Sequence, residues 1–231
     1  MWQFGRGETT IVLIGGIHGG YEANSVVLTE LLVGYFRDNP QAVLPGMRIV
    51  LMPTANPDGM QRGAGLEGRF NAHGVDLNRN WGCDWAETAF LRDLEVNPGP
   101  RPFSEPESVA LREYFVSEQP DAVIFYHSAL GAIFMGACGE HGPAEWVGTL
   151  LSEATGYEYE RNFGYYEVNG DASNWLAERG IPAAVVELIT RTEPEFEENL
   201  AGVMALQCRL YSERAQADLT HPDYLRECIT D

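Results

Sequence analysis

Basic residues are scarce in this 231-residue chain: fifteen, every one an arginine, against thirty-four acidic residues, for a formal net charge of −19. A surplus of that size repels phosphate backbones and anionic lipid surfaces, so nucleic acid is not an expected partner. Long apolar runs are missing as well. The longest, from Ile11 to Ile17 and from Ala122 to Tyr126, fall far short of the roughly 20 residues that cross a bilayer, and no membrane span is expected. The opening Met1-Trp2-Gln3-Phe4-Gly5 has neither a basic region nor a long apolar stretch, so no signal peptide is read in it and the compartment stays open. The four cysteines, Cys83, Cys138, Cys208 and Cys228, include no Cys-x-x-Cys pair, which argues against a cysteine zinc site. An even count permits two disulfides, for example Cys83 with Cys138 and Cys208 with Cys228, but three full pairings fit the sequence, and free buried thiols fit too. Repeats, low-complexity segments and linkers are also lacking. With 45% apolar residues, the chain is read as one domain over residues 1–231 around one sizeable core.

What is present alternates between strands and helices. Thr10 to Ile14 is a short β-branched run ending at Gly15-Gly16, which predicts a buried strand followed by a turn. Val26, Val27, Leu31, Leu32 and Tyr35 recur at helical spacing between Ala23 and Phe36, and Asn39-Pro40 closes that helix. Met47 to Met52 predicts a second strand. Pro53 to Asn80 has little periodicity and is rich in Gly, Asn and Asp; loops of that length in compact domains are usually functional or disordered. A helix is expected from Glu105 to Val116, with Ser104 as N-cap, Glu107 as its capping-box partner and Pro106 in the first turn. Further along, the pattern predicts a strand at 121–127, a helix at about 143–154, a short helix at 173–178, a strand at 183–188 and a helix at 195–212; residues 217–231 carry too little pattern to place. This alternation implies an α/β fold with a largely parallel sheet covered on both faces.

Several chemistry-bearing residues fall at strand ends. His18 and Glu22 flank a Gly-Gly-Tyr loop directly after the first predicted strand, His127 ends the third, and Glu187 ends an otherwise apolar one. Open α/β folds place their sites at that carboxyl edge, and a carboxylate in an apolar strand is costly unless partnered or useful. The segment Gly68-Arg69-Phe70-Asn71-Ala72-His73-Gly74-Val75-Asp76-Leu77-Asn78-Arg79-Asn80-Trp81, together with Gly16-Ile17-His18 and Asn56-Pro57-Asp58-Gly59, resembles the zinc carboxypeptidases of the A/B/D type. The resemblance runs from about Ile11 to Leu188, with the first family strand and its lead-in shortened. It implies a three-layer α/β/α sandwich with a mixed, mostly parallel sheet and one zinc ion held by His18, Glu22 and His127. Asp76 would orient the ring of His18, fixing its tautomer. Asn78 and Arg79 would grip the free C-terminal carboxylate of a peptide substrate, arginine matching a carboxylate with two parallel hydrogen bonds. Arg69 would stabilise the oxyanion, and Glu187 would act as general base toward a metal-activated water. Gly164 to Trp175 resembles the family's substrate-covering loop, with Tyr166 as lid tyrosine, Tyr165 as its competitor, and Ser173 at the specificity position.

One departure stands out. The family pattern has two residues between the first His and the Glu, and this chain has three; Glu22 is the local carboxylate, and Gly19-Gly20 is expected to absorb the extra residue. The expected activity is hydrolysis of the C-terminal peptide or amide bond. Asp171 favours an amino-bearing terminal residue, including diaminopimelate of peptidoglycan stem peptides, which makes a stem-peptide amidase the nearby alternative. A metallo-deacylase of N-acyl amino acids shares the metal core, but such enzymes append a C-terminal β domain and lack a loop of the Tyr166-to-Trp175 type. A non-catalytic binding module would not be expected to retain Glu187, Arg69, Arg79 and the ligands together.

Overall fold

The computed structural model describes residues 1–142, 144–161 and 163–217. Its strands are β1 (Trp2–Gly5), β2 (Thr9–Ile14), β3 (Met47–Met52), β4 (Ala89–Leu91), β5 (Leu94–Val96), β6 (Ala122–Ser128), β7 (Ala132–Met135), β8 (Glu158–Tyr159) and β9 (Ala183–Leu188). The helices are α1 (Ala23–Asp38), α2 (Pro57–Arg62), α3 (Pro106–Glu118), α4 (Glu145–Thr155), α5 (Ala172–Ala177) and α6 (Phe196–Ala217). A seven-stranded sheet runs in the order β1-β3-β2-β6-β9-β7-β8, while β4 and β5 form a separate hairpin. β2, β3, β6 and β9 are mutually parallel where they pair, β8 is parallel to β7, and β1 and β7 run antiparallel to their central neighbours. The sheet is therefore mixed and mostly parallel.

Because strand side chains alternate between faces, each central strand feeds two cores. Ile11, Leu13, Ile49, Leu51, Ile124, Tyr126, Ala184 and Val186 pack beneath Leu28, Leu32 and Phe36 of α1, Val147 and Leu151 of α4, and Val203, Leu206 and Leu210 of α6. Val12, Ile14, Val50, Val123, Phe125 and Ala183 meet Leu111 and Phe115 of α3 and Trp175 and Leu176 of α5 on the other face. Both faces of β2 and β6 are buried, which is why these strands read as unbroken apolar runs. Among the described residues no helix is long and apolar enough to cross a membrane.

Several expectations need correction. The N-cap of α3 is Glu105, which makes no side-chain capping bond. Ser104 Oγ instead donates to Glu105 Oε1 at 2.7 Å, and Glu107 accepts from Asn71 Nδ2 at 3.3 Å. Tertiary partners have taken both side chains from the expected capping box. The segment from Pro53 to Asn80 is not structureless: α2 and single 3-10 turns at Leu66–Arg69 and Leu77–Arg79 lie within it. Strands β1, β7 and β8 and the β4–β5 hairpin were not expected. Pro143, the expected start of α4, and residues 218–231 lie outside the described residues.

Cys83 and Cys138 form a disulfide across a sequence separation of 55; the other expected pairing involves Cys228, outside the described residues. Chain-entropy arguments assign a loop of that length about 4 kcal/mol of stabilisation. The double variant Cys83→Ser, Cys138→Ser should lose about that much unfolding free energy in urea. A loss below about 1 kcal/mol would show that the bond restrains little of the unfolded chain.

Candidate active site

Strand order and register assemble the site. β2, β6 and β9 are consecutive in the sheet, and the parallel pairing of β6 with β9 puts His127 opposite Glu187. His18 follows the carboxyl end of β2 and leads into a 3-10 turn, Gly19–Glu22, the segment expected to absorb the extra residue. Gly19 there has φ +46, and a Cβ on it would lie 2.6 Å from the Gly59 carbonyl carbon, so glycine is required on both counts.

The turn carries Glu22 back under His18. His18 Nδ1 lies 2.9 Å from Glu22 Oε1, His127 Nδ1 lies 3.1 Å from Glu22 Oε2, and the two Nδ1 atoms are 3.2 Å apart. All three side chains are buried, and one donor atom from each falls within 4.8 Å of the others. Both Nδ1 atoms and the Glu22 carboxylate converge on one point, close enough for a single cation to take a donor from each, and two His nitrogens with one carboxylate are an open catalytic zinc donor set. The other cluster of suitable residue types, Cys83, Asp84 and Cys138, offers no thiolate because its cysteines are bonded to each other.

Around this triad the charges are paired. Asp76 Oδ1 lies 3.5 Å from His18 Nε2, beyond ordinary hydrogen-bond length but on the ring's outer nitrogen. Asp76 Oδ2 accepts from Arg69 Nε at 2.7 Å. Burial alone would raise the Asp76 carboxyl; the Arg69 charge and His18 outweigh it and hold Asp76 well below the carboxylate range. Glu22 is likewise held well below its usual value by His18 and His127 against the opposing effect of burial. Glu187 behaves oppositely: burial, and then the Glu22 charge, push it up to about 7.

Two adjoining cavities of 330 and 530 Å³ share His18, Arg69, Tyr166 and Glu187. The smaller also contains Asn78, Arg79, Asp171 and Ser173, so the structure brings every residue singled out from the sequence to the cavities or to the cluster beneath them. Asn78 and Arg79, the pair expected to grip a terminal carboxylate, are held by unexpected partners. Arg79 Nε and Nη2 both donate to Phe90 O in β4, at 3.3 and 3.0 Å, and Nη1 donates to Asn78 O at 2.7 Å. Asn78 Oδ1 accepts from Ala172 N at 3.1 Å, linking it to α5. Tyr166 lines both cavities, whereas Tyr165 lines only the larger and donates to Glu160. Asp171 caps α5 through Oδ1, which also accepts from Ser173 Oγ at 2.6 Å. Its Oδ2 is buried without a partner, and the residue lines the smaller cavity, whose walls include Phe134, Met135, Phe163 and Val185.

Some supporting residues were not read from the sequence. Asn56 caps α2 through Gly59 N, and its Nδ2 donates to Ile17 O and Arg69 O, tying the His18 loop to the arginine. It lay in the quoted Asn56-Pro57-Asp58-Gly59 motif, so a signal existed. Asn24 Oδ1 accepts from Ser128 Oγ beside His127, and the Phe90 carbonyl orients Arg79; no local pattern marks either.

Comparison with known proteins gives the family and the fold. The family model described as zinc carboxypeptidase matches residues 3–142. Murein peptide amidase A of Escherichia coli K12 is 30% identical over 207 residues, covering 84% of this chain and 77% of its own. The crystal structure of a murein-tripeptide amidase from Escherichia coli O157 superposes with a TM-score of 0.62 at 28% identity, covering 88% of this chain and 84% of that one. Bovine thrombin-activatable fibrinolysis inhibitor, solved with a tick carboxypeptidase inhibitor, shares the fold with a TM-score of 0.75 at 20% identity over 89% of this chain and 83% of its own.

Proposed function

The chain belongs to the zinc carboxypeptidase family, and we propose that it is a zinc-dependent hydrolase cutting the peptide or amide bond to the C-terminal residue of a peptide. The observation that carries this reading is the buried His18–Glu22–His127 cluster with Glu187 beside it on the neighbouring strand.

Zinc held by those three side chains would supply Lewis-acid polarisation of a water and of the scissile carbonyl. Asp76, 3.5 Å from the outer nitrogen of His18, would orient that ring on closing to hydrogen-bond length. Glu187, with a carboxyl poised near neutrality, takes the proton of the attacking water and delivers it to the leaving amine. Arg69, buried and fixed by Asp76, faces the developing oxyanion, usually the largest electrostatic contribution. Asn78 and the remaining N–H groups of Arg79 receive the terminal carboxylate. Tyr166 closes over the substrate, and Ser173 and Asp171 face the side chain of the released residue.

A second reading, an amidase acting on peptidoglycan stem peptides, is favoured by the likeness to murein peptide amidase A along most of both chains. Asp171, a carboxylate with no ion-pair partner among the described residues and on the lining of an apolar-walled cavity, suits a residue with an aliphatic stem and an ammonium tip, diaminopimelate among them. Zinc-loaded enzyme offered peptides ending in Lys, Phe, Glu and diaminopimelate should release the free terminal residue, and C-terminal amidation should abolish release. Equal cleavage of amidated peptides would refute the carboxypeptidase reading.

Asp171→Asn tests the pocket separately, because asparagine retains the N-cap while removing the charge. A charge-assisted hydrogen bond is worth about 1.5–3 kcal/mol, so the preference for amino-bearing over Phe ends should fall roughly tenfold to hundredfold. An unchanged ratio of kcat/KM would remove Asp171 from recognition.

A further inference from the structure

We propose that Arg191 and Arg92 form an anion subsite in the larger cavity, taking a carboxylate carried by the residue on the acyl side of the scissile bond. The inference rests on the proposed reading for its orientation. Asn78 and Arg79 lie only in the smaller cavity and Arg92 and Arg191 only in the larger, with Glu187 shared. If the C-terminal residue occupies the first, the acyl portion extends into the second.

Charge placement is the first argument. The chain carries −19 overall, yet five of its fifteen arginines, Arg69, Arg79, Arg92, Arg161 and Arg191, line the two cavities. In the shared floor, Arg69 pairs with Asp76 and approaches Glu22; a dication together with Arg69 balances Glu22, Asp76 and Glu187. Arg92 and Arg191 come in excess of that balance, Arg191 adding its charge to those that act on Glu187. Among the described residues neither has an ion-pair partner, and Arg92 has no hydrogen bond either. A concentrated positive field inside an acidic protein draws anions selectively to that place.

The second argument is preorganisation. Arg191 sits 4.1 Å over the ring of Tyr21, and its two terminal nitrogens donate to Tyr21 O at 3.1 Å and to Tyr21 Oη at 3.2 Å. Its other N–H groups are left for a ligand. The loop bearing it is anchored from both sides: Glu195 accepts from Ile189 N and Thr190 N, and Asn24 Nδ2 donates to Thr190 O and Glu193 O. Arg92 projects from the β4–β5 turn at φ 57. Leu66, Leu91 and Leu94 line the same cavity and offer apolar contact to the aliphatic part of an acidic residue, while both guanidinium groups stay open to solvent and to a ligand.

Two chemistries present such a carboxylate: the side chain of an α-linked Glu, and the free α-carboxylate of a γ-linked Glu. A peptide series that varies only the penultimate residue, Gln, α-linked Glu or γ-linked Glu, separates them. We expect at least a tenfold higher kcat/KM for one or both Glu peptides than for Gln, falling as salt rises. In Arg92→Gln, Arg191→Gln the Glu/Gln ratio should collapse toward one. Calorimetric binding of the corresponding N-acetyl dipeptide products, one ending in Gln and one in Glu (both Glu linkages release the same product), reads the subsite without turnover and should show tighter binding of the Glu product. Absence of hydrolysis throughout would sink the proposed activity while leaving the binding order to decide the subsite. Equal binding of Glu and Gln products, or a preference surviving in the double variant, would overturn it.

Discussion

Glu187→Gln should lower kcat by roughly 10²–10⁴-fold, the range associated with a positioned general base, while zinc content stays at the wild-type level. The amide keeps the shape of the side chain but accepts no proton at any working pH. Normal turnover in this variant would exclude Glu187 as the base. A second readout concerns metal-free protein. Glu187 is raised by burial, and then by the Glu22 charge, from 4.5 to about 7, so the folded state holds this proton more tightly than the unfolded chain does. Its protonated form favours folding below about pH 4.5, and stability falls as pH rises through the interval to about 7; above that the loss is on the order of 3 kcal/mol. Metal-free Glu187→Gln should therefore gain on metal-free wild type across that interval. The quantity to measure is the change of the difference with pH in urea unfolding, which cancels any constant cost of burying an amide. A flat difference would mean that the carboxyl is not desolvated.

Glu22→Gln should abolish tight zinc binding. Altering an outer partner of a metal ligand typically costs about 10–100-fold in affinity, and removing the anionic ligand itself should exceed that. Two imidazoles and a neutral amide would remain, with Asp76 already taken by Arg69 and His18. At zinc 100 times above the wild-type Kd, the ion adds about 2.7 kcal/mol to stability; most of that increment should vanish in the variant at the same concentration. Competition with a chromogenic chelator and thermal melts with and without zinc would check this. Unaltered affinity would mean that the 3-10 turn at Gly19–Glu22 presents some other group to the ion.

Legibility in the sequence followed burial. β2 and β6, apolar on both faces, announced themselves as strands, and α1 did so by its spacing. β1 did not, because it is a largely exposed edge strand of four residues, too short for the alternation of Trp2 and Phe4 to register. The β4–β5 hairpin has only three residues per strand, too few for a period to register. Ser104 looked like an N-cap by local rule; instead Asn80, twenty-four residues earlier in the chain, donates to it at 2.9 Å and its own hydroxyl bonds Glu105, a competition no local window contains.

The motifs, through their resemblance to the zinc carboxypeptidases, named the side chains expected to belong together: the two histidines, Glu22, Arg69, Asp76, the Asn78–Arg79 pair and Glu187. Their convergence was decided by the sheet. His127 meets Glu187 through strand register, and His18 meets His127 across 109 residues. The fold alone placed Arg79 on the carbonyl of Phe90 and Arg191 on Tyr21, 170 residues away. Strand order and pairing set such contacts, and these depend on which buried faces match over the whole chain, a quantity that local spacing does not encode.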